Sequence, residues 1–88
     1  MVLSPETITE EFVKLVEHYR KRKGISQNKL AIKAGLTGGL LSRMKHGSRK
    51  IPAFDKVWYI ACLLDMPLEE FISILESKEK EIENGEKQ

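Results

Sequence analysis

The stretch Ile25–Gly47, which reads ISQNKLAIKAGLTGGLLSRMKHG, predicts two short helices joined by a tight turn. Ser26 suits the N-cap of the first helix, because its hydroxyl can accept a hydrogen bond from an N–H of the first turn. Gly35 stands where that helix must end in a left-handed residue, which glycine adopts without strain. Thr37 is the corresponding cap for a second helix over Gly38–His46.

The apolar residues of this stretch fall at helical spacing. Leu30, Ala31 and Ala34 share one face of the first helix, and Leu41 and Met44 repeat the three-residue spacing in the second. Both helices therefore bury one side. This layout is that of a helix-turn-helix, in which one helix supports another that is presented to the major groove of DNA.

With these residues in view, the chain resembles the lambda-repressor-like (Cro/cI, XRE-type) DNA-binding domains from about residue 12 to 75. The matching residues are Arg20, Ser26, Gln27, Leu30, Ala31, Ala34, Gly35, Leu36, Thr37, Leu41, Ser42, Gly47, Pro52, Ile60, Ala61, Leu64, Leu68 and Phe71. The resemblance implies an all-α, five-helix fold with the helix-turn-helix at helices 2 and 3. It also implies that DNA is the partner.

The flanking segments predict the other helices and the domain limits. The first helix starts either at Ser4–Pro5 or at Thr7 with Glu10, which has capping-box spacing. In the fourth, Phe54, Val57, Ala61 and Leu64 should form the core face. We expect residues 1–75 to form the DNA-binding domain, and residues 76–88 to be a charged C-terminal tail or an extension of the fifth helix.

The charge distribution also points to a polyanion. Residues 14–50 hold eleven Lys or Arg and one acid, giving +10, residues 1–13 carry −3, and residues 51–88 carry four Lys and nine acids, giving −5, which together make the net +2 of the 88-residue chain. A basic centre between acidic ends favours docking of a polyanion on one face.

The second helix of the motif supplies the predicted base contacts, Gly38, Gly39, Ser42 and Arg43. The resemblance implies longer polar side chains at the first two positions, where glycines offer no side-chain readout but allow close approach of the backbone. Arg43 can bind guanine O6 and N7 through two parallel hydrogen bonds, or it can bind a phosphate.

Phosphate contacts are expected around the same helices. The resemblance implies that Gln27 touches a phosphate and steadies the recognition helix, and that the loop with Arg49 and Lys50 follows the DNA backbone. The full expected set is Ser26, Gln27, Asn28, Lys29, Thr37, His46, Arg49 and Lys50. The chain departs from the family at Lys45, where many relatives have an acid that pairs with the arginine corresponding to Arg20. Arg20 must then contact Glu17, backbone carbonyls or a phosphate.

Other functional classes find little support. Cys62 is the single cysteine, so neither an internal disulfide nor a metal site is predicted. His18 and His46 lack the motif partners of a catalytic triad, and no cofactor is expected. No signal peptide or membrane span is visible, which favours the cytoplasm.

We therefore predict a non-enzymatic transcriptional regulator, a repressor, that binds double-stranded DNA sequence-specifically as a homodimer. The expected dimer surface comprises Tyr59, Cys62, Leu63, Met66, Ile72 and Leu75, where apolar residues exceed what one helix face can bury. Two alternatives stay open. One is an antitoxin and autorepressor that binds a toxin, or a regulator that binds an antirepressor; the other is a protein-interaction module that has lost base readout.

Overall fold

The computed structural model describes the backbone of residues 3–37 and 39–86 and the side chains of these residues up to residue 83. It contains five α-helices, which are α1 (Pro5–Lys23), α2 (Gln27–Lys33), α3 (Leu40–Lys45), α4 (Phe54–Leu64) and α5 (Leu68–Glu86). No strand occurs in this part of the chain, so the all-α prediction is confirmed. None of its helices is both long and apolar enough to cross a membrane.

The first helix begins at the Ser4–Pro5 signal rather than at Thr7. The Ser4 hydroxyl accepts a hydrogen bond of 3.1 Å from the backbone N–H of Thr7, and Pro5 occupies the first helical position. Proline is favoured there because that N–H would have no partner inside the helix. The helix ends at Gly24, whose φ of 70° is left-handed.

The core lies where α1 packs against α3, α4 and α5. Phe12 of α1 is fully buried, and its ring centroid lies 5.5 Å from that of Phe71 in α5. The largest fully buried side chains come from four of the five helices; they are Phe12, Val16, Leu30, Met44, Ile60 and Leu64. Because Leu30 and Met44 belong to α2 and α3, the helix-turn-helix is held on this shared core.

The predicted core face of α4 is correct except at its first residue. Val57, Ala61 and Leu64 are buried, whereas Phe54 is 70% exposed. Phe54 starts the helix at the edge of the buried stripe, and its ring lies 6.2 Å from that of Trp58 on the same helix. The first turn of α4 therefore presents aromatic surface instead of burying it.

The turn after α4 corrects the prediction that Met66 contacts a second protomer. Asp65 is left-handed with a φ of 52°, and Met66 N–H donates to the Ala61 carbonyl at 2.9 Å. This hydrogen-bond pattern closes a helix end and typically turns the next apolar residue inward. Met66 is accordingly 4% exposed and packs in the protomer core.

The charged C-terminal segment continues α5 as a helix as far as Glu86, so the structure has the helix extension and not a loose tail. The domain limit predicted after residue 75 falls inside this continuous helix. The Leu3 N–H donates to Glu79 Oε2 at 3.2 Å, which joins the far part of α5 to the chain before α1. Residues 87 and 88 lie outside the described part of the chain.

Candidate nucleic-acid interface

The turn at the end of α2 determines the orientation of α3 relative to α2. Gly35 is left-handed with a φ of 69°, as predicted, and Leu36 N–H donates to the Ala31 carbonyl at 2.8 Å. Leu36 is half-buried and packs against the core cluster. The turn is thereby fixed both by backbone hydrogen bonds and by an apolar contact.

The recognition helix is shorter than predicted. It covers Leu40–Lys45, and its N-cap is Gly39 with a left-handed φ of 83°, not Thr37. No side-chain hydrogen bond caps it; instead the Thr37 carbonyl accepts from the Leu40 N–H at 3.2 Å. Because Gly39 is left-handed, the helix begins only at the next residue, Leu40, and an L side chain at position 39 would be strained. Gly38, a predicted base contact, lies outside the described residues.

The other predicted base contacts have distinct environments on α3. Gly39 and Arg43 are exposed, and Ser42 is half-buried. Arg43 Nη1 lies 3.8 Å from the point where a Cβ on Gly39 would be. The guanidinium therefore extends back over the N-terminal end of α3, in the direction helical side chains normally take. Leu40, Leu41 and Met44 are buried beneath it.

Glu17 links the first helix to the start of α2. Its carboxylate accepts hydrogen bonds from Arg20 and, at 2.7 Å, from Gln27 Nε2. Arg20 also donates to the Ile25 carbonyl at 2.7 Å. Of the partners expected for Arg20, which were Glu17, a backbone carbonyl or a phosphate, the structure therefore has the first two. Gln27, predicted as a phosphate contact, has its amide oriented by this carboxylate.

Electrostatics favour the charged form of Glu17. The hydrogen bond from Arg20 is the largest influence and lowers the pKa of Glu17, and the hydrogen bond from Gln27 lowers it further, against the opposing effect of burial. The positioning role of Glu17 toward Gln27 was not predicted, although Glu17 is the single acid in residues 14–50 and stands three residues before Arg20.

The loop after α3 is tied to both α3 and α1. Ser48 donates to the Arg43 carbonyl through its backbone N–H at 2.9 Å and through its hydroxyl at 3.1 Å. Ile51 N–H donates at 3.1 Å to the hydroxyl of Thr9, a buried residue of α1. Lys50 Nζ lies 2.7 Å from Glu6, and this hydrogen bond is the main cause that lowers the pKa of the Glu6 carboxyl.

Three of the predicted phosphate contacts line one open cleft beside the turn, which we call the basic cleft. Thr37, Arg49 and Lys50 are brought together there, and Lys56 of α4 joins them. Lys56 Nζ lies 3.3 Å from the position of a Cβ on Gly35. Lys56 was not among the residues predicted from the sequence to contact phosphate, because the helical spacing of α4 does not reveal that this side chain reaches the turn at Gly35.

The remaining predicted phosphate contacts do not line the basic cleft. His46 lines a neighbouring recess that shares Arg49 and Lys50 with the cleft and also contains Lys45 and the acids Glu6 and Glu10. Ser26, at the start of α2, uses its hydroxyl to cap the helix by accepting from Lys29 N–H at 3.1 Å. Asn28 and Lys29 are exposed next to it.

Most cations of residues 14–50 are accessible. Ten of the eleven are exposed, and Arg20 is half-buried. In the acidic C-terminal part of the sequence, residues 51–88, the predicted dimer residues other than Met66 have exposed or partly exposed side chains. These residues are Tyr59, Cys62, Leu63, Ile72 and Leu75. Within the described side chains, no three His, Cys, Asp or Glu are grouped to hold a metal ion.

Comparison with known proteins agrees with this geometry. The family HTH_3, described as helix-turn-helix, matches residues 16–71, which is more than half of the chain. The chain is also similar to the HTH-type transcriptional regulator SlrR of Bacillus subtilis (strain 168), with 28% identity over 75 residues. That alignment covers 85% of this chain and 49% of SlrR, so the chain spans about half the length of this relative. The chain therefore belongs to the HTH_3 family of helix-turn-helix domains, the XRE (Cro/cI) type of DNA-binding domain.

Proposed function

We propose that this protein binds double-stranded DNA sequence-specifically and regulates transcription as a repressor, with α3 in the major groove. The observation that carries the proposal is the position of Arg43, which is exposed on α3 and extends over Gly39. A guanidinium at the groove-facing end of a recognition helix can grip a guanine through two hydrogen bonds.

In this arrangement, base contacts and backbone contacts have separate sources. Arg43 reads a base edge, Ser42 offers a smaller hydroxyl beside it, and the bare backbone of Gly39 permits close approach to the DNA. Gly38 is proposed to contribute in the same way. These residues carry the sequence preference.

Phosphates are bound on both sides of α3. On one side lies the start of α2, where Gln27 is oriented by Glu17 and stands beside Ser26, Asn28 and Lys29. On the other lies the basic cleft with Thr37, Arg49, Lys50 and Lys56, and next to it the recess with His46. Contacts of this kind fix the register of a protein on DNA and add affinity for any sequence.

Two copies would double the length of DNA that is read. Recognition helices related by a twofold axis and spaced by about 34–36 Å meet successive major-groove faces of a palindrome. We assign the dimer contact to Tyr59, Cys62 and Leu63, which share one side of α4 at spacings of three and four and retain accessible apolar surface. A single species of monomer mass in sedimentation at tens of micromolar, with and without DNA, would count against the dimer.

The test of the whole proposal is selection of bound sequences from a random DNA pool, followed by gel-shift titration at several salt concentrations. We expect a palindromic consensus containing guanine, and an affinity for random DNA that falls steeply as salt rises. If no sequence is enriched and the protein binds all DNA with the same salt dependence, the domain binds DNA without reading bases. We place this activity in the cytoplasm.

A further inference from the structure

An apolar groove runs between the start of α4 and the first half of α5. Phe54 and Trp58 form its α4 side, and Ile72 and Leu75 form its α5 side. Phe54 is 70% exposed, Trp58 55% and Ile72 54%. An apolar surface of this kind on a small protein usually marks an interaction site.

The dimer surface predicted from the sequence included Ile72 and Leu75, which line this groove, but the three α4 residues to which we assign the dimer contact do not line it. Tyr59 and Leu63 do not line it, because on α4 they lie on the far side of Trp58. Ile51 and Pro52 line both the groove and the basic cleft, whereas the other side chains that line the groove lie outside the proposed DNA interface.

One acidic side chain lines the groove and two others stand one helical turn from residues that line it. Glu69 lines it, Glu76 stands one turn beyond Ile72 on α5, and Asp55 stands one turn before Trp58 on α4, and all three are exposed. No lysine or arginine is among the lining residues. The nearest lysine on α4, Lys56, reaches toward Gly35 and the basic cleft instead. On α5, Lys78 stands one turn beyond Leu75, and its Nζ lies 3.9 Å from Glu81.

We propose that this groove binds an amphipathic helix of a protein partner, with an apolar face flanked by lysine or arginine. The floor matches the face of such a helix, since a helix buries apolar residues at spacings of three and four in a groove between two helices. The acidic rim matches the flanking cations and disfavours other occupants. A second copy of the same face would bring its own Asp55, Glu69 and Glu76 against these acids, so self-association is disfavoured here.

The single tryptophan of the chain, Trp58, reports directly on the groove. The experiment titrates the full chain with two synthetic helical peptides of about 18 residues, or about five turns. Both carry leucine at the same positions of one face, and the flanking positions are lysine in one peptide and glutamate in the other. We expect the lysine peptide to bind saturably and to shift Trp58 emission to shorter wavelength, while the glutamate peptide binds at least about tenfold more weakly.

Matched substitutions test both parts of the site. Ile72→Ser should weaken binding of the lysine peptide about tenfold, whereas Ile32→Ser, at another exposed isoleucine that lies on α2, should leave it unchanged. Glu69→Lys should weaken it more than Glu83→Lys, which makes the same charge change farther along α5. Circular dichroism of each variant checks that the fold is retained.

Three results would overturn the proposal. One is absence of saturable binding by the lysine peptide, and a second is equal binding of the two peptides. The third is a shift of Trp58 emission with protein concentration alone, accompanied by a dimer that Ile72→Ser abolishes, because a second copy would then occupy the groove. None of them bears on DNA binding, which gel-shift titration of the same variants measures separately.

Discussion

Gln27 Nε2 lies 2.7 Å from Glu17 Oε1, and this hydrogen bond connects α1 to the first residue of α2. The same carboxylate holds Arg20, which in turn binds the Ile25 carbonyl just before α2. Lys45, where many relatives have an acid, cannot attract Arg20 from α3. In this chain the acid that binds Arg20 is Glu17 on α1. The same carboxylate orients the amide of Gln27, which we propose contacts a phosphate.

Glu17→Gln should weaken DNA binding although it removes a negative charge. The amide that replaces the carboxylate binds Arg20 and Gln27 less well, and we expect a loss of about fivefold, or about 1 kcal/mol, for any DNA sequence. Gel-shift titration measures this. Glu10→Gln makes the same change of charge at an exposed position of α1 and should leave the affinity unchanged or slightly raised. If both variants tighten binding alike, Glu17 acts only through its charge.

The hydrogen bonds of Glu17 also make the stability of the fold depend on pH. The pKa of Glu17 is lowered below the ordinary value of 4.5, first of all by the hydrogen bond from Arg20. Because the folded state favours the ionised carboxylate, its contribution to stability is complete above the unfolded-state pKa and is lost as the pH falls through the folded-state pKa. Denaturant unfolding between about pH 6 and pH 3 should show a steeper loss of stability for the wild type than for Glu17→Gln. Parallel curves would contradict the assignment.

Because we propose that Lys50 binds a DNA phosphate, we expect Glu6 to compete with DNA for it. Their ion pair of 2.7 Å is exposed on both sides, so a phosphate can replace the carboxylate. Glu6→Gln should therefore tighten binding to random DNA. Lys50→Ala should weaken all sequences alike and reduce the slope of log affinity against log salt by about one unit. Lys78→Ala, which removes a cation from α5, is the matched control and should leave the slope unchanged.

Gly39 is required for the backbone at the start of α3. Its φ of 83° is a conformation in which an L residue is strained. We expect Gly39→Ala to lower the free energy of unfolding by about 1–2 kcal/mol, as measured by denaturant unfolding. Ser73→Ala, on the exposed side of α5, should change it by less than about 0.5 kcal/mol. An unchanged stability for Gly39→Ala would mean that the turn relaxes without cost.

Local signals predicted the framework of the motif well. Ser26 caps α2, Gly35 is left-handed, and the apolar spacing placed Leu30 and Met44 in the core. Each of these features depends on the chemistry of one residue or on the period of one helix, and such information is contained in a short stretch of sequence.

Features that depend on distant neighbours were not predictable in the same way. Thr37 has the composition of a cap, but the glycine before Leu40 adopts the left-handed conformation and takes the N-cap position. Phe54 has core spacing, yet it is exposed at the start of α4. Lys56 belongs to the basic cleft only because α4 lies next to the turn.

Arg43→Ala tests the central claim most directly. The measurement is the affinity of the wild type and the variant for the selected consensus and for random duplex of the same length, at one salt concentration. We predict that the ratio of the two affinities falls by about tenfold or more, because a bidentate contact to guanine contributes about 1–3 kcal/mol of discrimination. Arg49→Ala, which removes a cation from the loop, should lower both affinities and leave their ratio unchanged. An equal loss on both duplexes for Arg43→Ala would contradict base reading by α3.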